Sequence, residues 1–315
     1  MNKFLSVIAT STVIFFASPA AATFSIVACD TKSGSCGVAV ATNNLAVGGS
    51  VPYVQAGVGA VAVQFDTNPK IGPTILSLLA QETPIGQALI QAIQTSEPFE
   101  GQGREWRQVG VVSARGETAN HDGVQVIESG YAGHLSGVNY AVQGNGLAGA
   151  HVLERLSESF LATTGDLPSR LLAALEAGYA AGGQTIGHRS AALIVRTMDG
   201  WPIDIDLRVD SSDAPVPDLR RVFNEHYARI HMARAERMAR NDKPDEALAL
   251  AKKAIGLAPR WDRIARRAAL LAHGLGEPKL ATLYFHRFQT LNPVWASQYC
   301  PAMSDASFAA CAGGE

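Results

Sequence analysis

The run Val58-Gly59-Ala60-Val61-Ala62-Val63 is apolar throughout, and it constrains the fold more than any other stretch of the chain. A strand with one wet face alternates polar and apolar residues, whereas a strand without that alternation has to be covered on both sides. Val58–Gln64 therefore calls for a second sheet against one face and helices against the other. Other short Val- and Ala-rich segments bounded by Gly, Asn or Asp read as further strands: Phe24–Ala28, Gly37–Ala41, Val109–Val112, Asn139–Gln143, Ser190–Arg196 and Ile203–Leu207. Between them lie helical stretches, one or two from Gly72 to Ile93, one from Ala148 to Leu161 and one from Leu167 to Ala181. The last has Asp166 as its N-cap, Pro168 in its first turn and Gly182-Gly183 as its stop. Strands in runs, then paired helices, then strands again argue for an α+β layer structure with mainly antiparallel sheet. A four-layer αββα sandwich over residues 23–214 satisfies both requirements.

At Asp210-Ser211-Ser212-Asp213-Ala214-Pro215-Val216-Pro217 the composition turns polar and Pro-rich, which marks a linker. Residues 218–298 beyond it are helical and all-α. Ala247, Ala251, Ala254 and Pro259 recur thirty-four residues later as Ala281, Phe285, Phe288 and Pro293, a period that matches tetratricopeptide repeats. Small residues let paired helices approach closely, and the Pro ends the second helix. The first helix of each repeat lacks the usual aromatic and Gly positions, so a plain helical hairpin bundle is the alternative. Two repeats rarely stand alone, which points to docking on the first domain or on a protein partner.

Lys3, an apolar run from Phe4 to Ala17, Pro19 and then Ala20-Ala21-Ala22 follow the grammar of a secretory signal peptide over residues 1–22, too short for a membrane span. Ile26-Val27-Ala28-Cys29 also fits a lipoprotein signal, which would leave Cys29 first and acylated. The two cuts exclude one another. The first implies a periplasmic or secreted protein, where an oxidising compartment favours disulfides. Cys29 closes one strand and Cys36 opens the next, so a bond across that hairpin is natural. Cys300–Cys311 would staple the tail at residues 299–315. These spacings match no familiar zinc site, and no metal or organic cofactor is expected. A net charge of −2 offers no field for nucleic acid.

Cleavage after Ala22 would leave Thr23 first, with a hydroxyl and a free α-amine on one residue; the amine can serve as the hydroxyl's general base. A Thr in first place is weak evidence by itself. Thr23-Phe24-Ser25-Ile26-Val27-Ala28-x-Asp30, however, resembles the opening of the bacterial family called domain of unknown function 1028, grouped with the N-terminal nucleophile hydrolases. The resemblance runs to about Val222 through Val47-Gly48, Val51-Pro52, Gln64, Asn68-Pro69, Gly72-Pro73, Arg107-Gln108-Val109-Gly110, Ala132-Gly133-His134, Val142-Gln143-Gly144-Asn145, Leu147-Ala148-Gly149, Gly182-Gly183, Ser190-Ala191-Ala192 and Asp206-Leu207-Arg208-Val209-Asp210.

If that superfamily's mechanism applies, Thr23 is the nucleophile and its α-amine shuttles the proton. Asn145, at the end of a strand where Gly144 allows close approach, is then the candidate oxyanion donor, with a turn-stabilising Asn as the alternative. Gln143 and Gly144, at that strand end, are candidate substrate-binding residues. Gln64, Asn68 and His134 are candidate substrate-binding residues, with loop hydrogen bonding as the bland reading of each. Asp30 is the candidate to orient the N-terminal ammonium. Asp206, Arg208 and Asp210 alternate along a strand and read as a surface or interdomain ion-pairing face. The chain departs from the family's usual residues at Cys29, Asn43, Gln184 and Arg189, which bears on specificity and activity. Two functions stand: an exported hydrolase of an amide bond in a small molecule or short peptide, or an inactive envelope scaffold that presents its helical repeats to a protein partner. Buried sheets and apolar surface helices also allow a homo-oligomer.

Overall fold

The computed structural model describes residues 22–200 and 203–298, which form two compact units divided between Asp206 and Leu207. The signal segment, apart from Ala22, and both Cys300 and Cys311 lie outside the described residues.

The first unit is built on two antiparallel sheets. The larger contains β1 (Thr23–Asp30), β2 (Ser35–Thr42), β7 (Tyr131–Gly137), β8 (Tyr140–Leu147), β9 (Ser190–Arg196) and β10 (Ile205–Val209), in the order β10-β9-β2-β1-β8-β7. The smaller runs β3-β4-β5-β6, with β3 Pro52–Gln55, β4 Gly59–Phe65, β5 Arg107–Ser113 and β6 Thr118–Asp122. Helices α1 (Ile71–Ala80) and α2 (Ile85–Ser96) pack on the smaller sheet; α4 (His151–Ala162) and α5 (Leu167–Ala180) pack on the larger. A short α3 (Val124–Glu128) lies between β6 and β7.

Strand β4 is covered on both faces. Val61 and Val63 pack with Ile71, Ile75 and Leu89 on the helix side, while Ala60 and Ala62 pack with Val27, Val38 and Val40 of the other sheet. Small Ala side chains in the inter-sheet layer bring the sheets close, and large aliphatics fill the wider gap to the helices. The N-cap of α5 is as expected, with Asp166 accepting a hydrogen bond from the Ser169 N–H at 3.2 Å. Cys29 and Cys36 are directly opposed in the β1–β2 register and disulfide-bonded.

Three strands carry no clear sequence signal. β3 is a short edge strand that begins at Pro52, β6 is Thr-Ala-Asn-His-Asp, and β7 is a Gly-bearing, largely exposed edge. The final strand is Ile205–Val209, two residues later than the apolar pattern placed it. The polar linker is also shorter than its composition suggests. Pro215 and Pro217 lie in the first turn of a helix, where a missing N–H costs nothing.

That helix, α6 (Pro215–Arg240), is the first helix of the second unit, followed by α7 (Pro244–Leu257), α8 (Asp262–Gly274), α9 (Pro278–Leu291) and α10 (Pro293–Ser297). Helices α6 and α7 pair, as do α8 and α9. Ala247, Ala251 and Ala254 are buried on α7, and Ala281, Phe285 and Phe288 occupy the corresponding positions of α9. No described helix is long and apolar enough to cross a membrane.

Candidate functional site

Alternation along β1 determines where the site lies. Phe24 and Ile26 are fully buried and alternate with Thr23, Ser25, Val27 and Cys29, of which Val27 and Cys29 belong to the inter-sheet cluster. The layer between the sheets is thus apolar at the disulfide end and polar at the Thr23 end. Every strand that borders the polar end adds to it. Thr42 and Asn145 stand opposite Thr23 in register, Gln143 stands opposite Ser25, and Ser190 stands opposite Thr42. From the other sheet come Gln64 and Gln108, which are themselves a register pair, with Asp122 opposite Gln108.

These groups are buried and hydrogen-bonded. The Thr23 N–H donates to Asn145 Oδ1 at 3.1 Å, and the Thr23 hydroxyl donates to Thr42 Oγ1 at 3.1 Å. Thr42 Oγ1 in turn donates to the Ala22 carbonyl at 2.7 Å. Asn145 Nδ2 donates to Gln108 Oε1 at 2.8 Å, as does Gln64 Nε2 at 2.7 Å. Gln108 Nε2 donates to Asp122 Oδ1 at 2.7 Å and to the Gly144 carbonyl at 3.0 Å. Ser25 bridges Gln64 and Gln143, with both bonds at 2.6 Å.

Thr23 also lines a cavity of about 250 Å³ together with Thr42, Phe65, Asp66, Glu100 and Arg107. Phe65 has a φ of 71°, a conformation a bulky residue rarely adopts, and its ring stacks on Trp106. Arg107, at the start of β5, is only 1% exposed. Its guanidinium bonds Glu97 through Nε at 2.6 Å and Nη2 at 3.2 Å, and it donates to the carbonyls of Asp66, Phe99 and Gln102. A buried Arg paired with Glu97 holds the loop at the cavity mouth, its charge matched by that carboxylate. Burial pushes the Asp66 carboxyl above its ordinary value, opposed by Arg107 and by a hydrogen bond with Gln102.

The predicted residues therefore divide. Thr23, Asn145, Gln64, Gln143 and the Gly144 carbonyl meet in one network, but Asn145 turns its NH₂ toward Gln108 and its oxygen toward Thr23. It is an acceptor for the Thr23 nitrogen, not the donor expected of an oxyanion site, because its NH₂ is turned to Gln108 Oε1. Asp30 lies at the other end of β1, roughly 23 Å from Thr23 at strand rise, and accepts from Lys32 N and Ser33 in the hairpin turn. It has no part in holding the N-terminus. Asn68 is fully buried, and it binds the Ser96 carbonyl, Glu97 and Lys70 N, which ties the loop ahead of α1 to the end of α2.

His134 sits on β7 with its Nδ1 against Asp122, at the outer end of the network and away from the cavity. Burial works to raise the Asp122 pKa, but hydrogen bonds from His134 and Gln108 with the charges of His134 and His121 outweigh it, so the carboxyl titrates below its ordinary value. The hydrogen bond to Asp122 raises the His134 pKa against partial burial. Asn43 and Arg189 are exposed, while Gln184 is buried with neither amide atom partnered. Asp206 pairs with Arg196 at 2.9 Å, as an ion-pairing strand face predicts.

Sequence reasoning assigned no role to Thr42, Asp66, Arg107, Gln108 or Asp122. The one available signal was Arg107-Gln108, two polar residues that open an otherwise apolar strand. No group of three His, Cys, Asp or Glu placed to hold a metal occurs among the described residues.

Residues 23–219 match the model of a family of unknown function. The chain belongs to that family, DUF1028. This DUF1028 chain is similar to protein SPO2555 from Silicibacter pomeroyi, whose crystal structure is assigned to the same family model. The two share 30% identity and a TM-score of 0.58, with 64% of this chain and 84% of that one covered. No curated protein matches it significantly. The DUF1028 segment begins at Thr23, the residue that joins the cavity to the buried network.

Proposed function

We propose that the protein is exported with removal of residues 1–22, and that Thr23 is then the nucleophile of an N-terminal nucleophile hydrolase acting on an amide bond of a small molecule or short peptide. The observation that carries this reading is the placement of both Thr23 groups. Thr23 lines a cavity, and its hydroxyl and nitrogen are held by hydrogen bonds at the end of a strand flanked on both sides by in-register polar partners. A small cavity suits a small substrate.

In the processed chain the Thr23 oxygen attacks the substrate carbonyl carbon, while the α-amine accepts the hydroxyl proton and delivers it to the leaving nitrogen. Water then hydrolyses the ester and returns Thr23 to its starting state. Thr42 is the oxyanion donor in this scheme. Its hydroxyl now donates to the Ala22 carbonyl, and it is freed when that carbonyl departs.

Two features support export by this cut over lipid anchoring. Cys29 is bonded to Cys36, and cleavage ahead of it would remove most of central strand β1. The paired helices of the second unit support a tetratricopeptide-like module available to a protein partner. Intact mass and N-terminal sequencing of the exported protein test the reading directly. Thr23 should be first, Thr23→Ala should lower turnover of an amide panel by about a hundredfold or more, and Thr23→Ser should retain part of it. A different first residue, or equal turnover in all three proteins, rejects the hydrolase.

A further inference from the structure

Neither Gln108 nor Asp122 touches the cavity, yet together they determine which atom Asn145 turns toward Thr23. We infer that Asp122 and Gln108 are positioning residues for the Thr23 amine. Asp122, with the Gly144 and Gly133 carbonyls beside it, is an obligate acceptor that orders the buried amides in series, so that Asn145 presents oxygen and not nitrogen. The inference rests on the reading of Thr23 as the mature N-terminus.

The ordering follows from what each group can donate. A carboxylate only accepts, and so do the backbone carbonyls of Gly144 and Gly133. All three face one end of the Gln108 side chain, at 2.7, 3.0 and 3.3 Å, so that end has to be the NH₂. The Gln108 oxygen then points the other way, and both groups that meet it have to donate. Asn145 Nδ2 is one of them, which leaves Asn145 Oδ1 for the Thr23 nitrogen.

Gln64 is the other, and the same polarity continues down a side branch. Gln64 Oε1 accepts from Ser25, and Ser25 accepts from Gln143 Nε2. The branch ends at Gln143 Oε1, buried with no partner. A reversed series would set the Gln108 oxygen against three acceptors and leave a buried N–H unpaired at Gln143. An unpaired buried N–H is rarer than an under-satisfied carbonyl.

The direction matters to the chemistry. An amine that donates one N–H to Asn145 Oδ1 has its lone pair free for the Thr23 hydroxyl proton. A reversed Asn145 would donate into that lone pair and occupy the base.

The test uses the exported, processed protein and reads the titration midpoint of the Thr23 α-amine, by the pH dependence of its acylation by an amine-reactive reagent, beside turnover. Asp122→Asn replaces the charged one of the three acceptors with a side chain that can donate, which loosens the hold on the Gln108 NH₂ and should lower the midpoint by about half a unit or more, since an N–H turned to the amine disfavours the ammonium. Gln108→Met interrupts the series without a change of charge and should shift the midpoint the same way; it serves as the test if Asp122→Asn does not fold. Gln108→Glu combined with Asp122→Asn restores an obligate acceptor beside Asn145 and should bring the midpoint back. In an Asn145→Asp background the acceptor is permanent, so Asp122→Asn should move nothing.

A midpoint unmoved by Asp122→Asn or Gln108→Met overturns the inference, as does an equal shift in the Asn145→Asp background, which would mean that Asp122 acts by charge alone. Thr23-dependent turnover with an unmoved midpoint sinks the positioning role but not the hydrolase. A shifted midpoint in a protein that cleaves no amide does the reverse, and a mature chain that starts elsewhere sinks both.

Discussion

Asn145 and Thr23 are register partners on β8 and β1, and the Asn145 side-chain oxygen accepts the Thr23 N–H at 3.1 Å. One side chain thus joins the first residue of the family segment to a network that spans both sheets. Asn145→Leu removes the acceptor of Thr23 N and a donor to Gln108 Oε1, both inside the fold. Leaving such groups unmet should cost about 1–3 kcal/mol. Urea denaturation of the variant beside the parent measures that loss, and an unchanged midpoint would mean that the contact carries no stability.

Gly110 lies beneath the Gln143 amide, where an added Cβ would come within 1.9 Å of Gln143 Oε1. Gly110→Ala should destabilise by about 1–3 kcal/mol, as overpacking does. Adding Gln143→Ala should return part of the loss, which a double-mutant cycle by chemical denaturation would resolve.

Arg107→Met strands Glu97, whose side chain is 9% exposed, and takes one donor from each of the Asp66, Phe99 and Gln102 carbonyls. Breaking a buried ion pair from one side costs about 3–5 kcal/mol. Faster amide hydrogen exchange across residues 97–102 should accompany the drop in stability, because Arg107 is what ties that loop to β5. Exchange that stays at the parent rate would remove the clamp.

His134 and Asp122 give stability a pH dependence with a definite sign. His134 titrates above its ordinary value of 6.5, so its contribution is complete below that pH and fades as pH rises through the higher folded value. Asp122 titrates below its ordinary 3.8, so its contribution holds above that pH and fades as acid protonates it. Thermal melts across the pH range should therefore show a decline above 6.5 that His134→Gln flattens. A parallel decline in parent and variant would assign it to other groups.

Much of the framework was legible in the amino acids because the relevant signals are local. The double-faced burial of β4 showed in Val61, Ala62 and Val63, the α5 N-cap in Asp166, and the hairpin disulfide in the placement of Cys29 and Cys36. Strands β6 and β7 were not legible. Asn120, Asp122 and His134 take strand positions whose hydrogen-bond partners lie across the sheets, Asn120 donating to Ser136 and His134 pairing with Asp122.

The site divides in the same way. The signal-peptide cut together with the family resemblance singled out Thr23 and placed Asn145, Gln143 and Gln64 among the candidates; the residue pattern by itself did not. What each does is a property of the assembled sheets. Asn145 became an acceptor because Gln108, distant in the chain, takes its hydrogen, and Asp30 lost its role because a strand carries its two ends far apart. Composition and periodicity decide which faces are buried, for burial follows side-chain chemistry at short range. Hydrogen-bond direction is decided only in the tertiary structure, where donors and acceptors from separate strands meet and the Asp122 carboxylate with two backbone carbonyls sets the sense of the series.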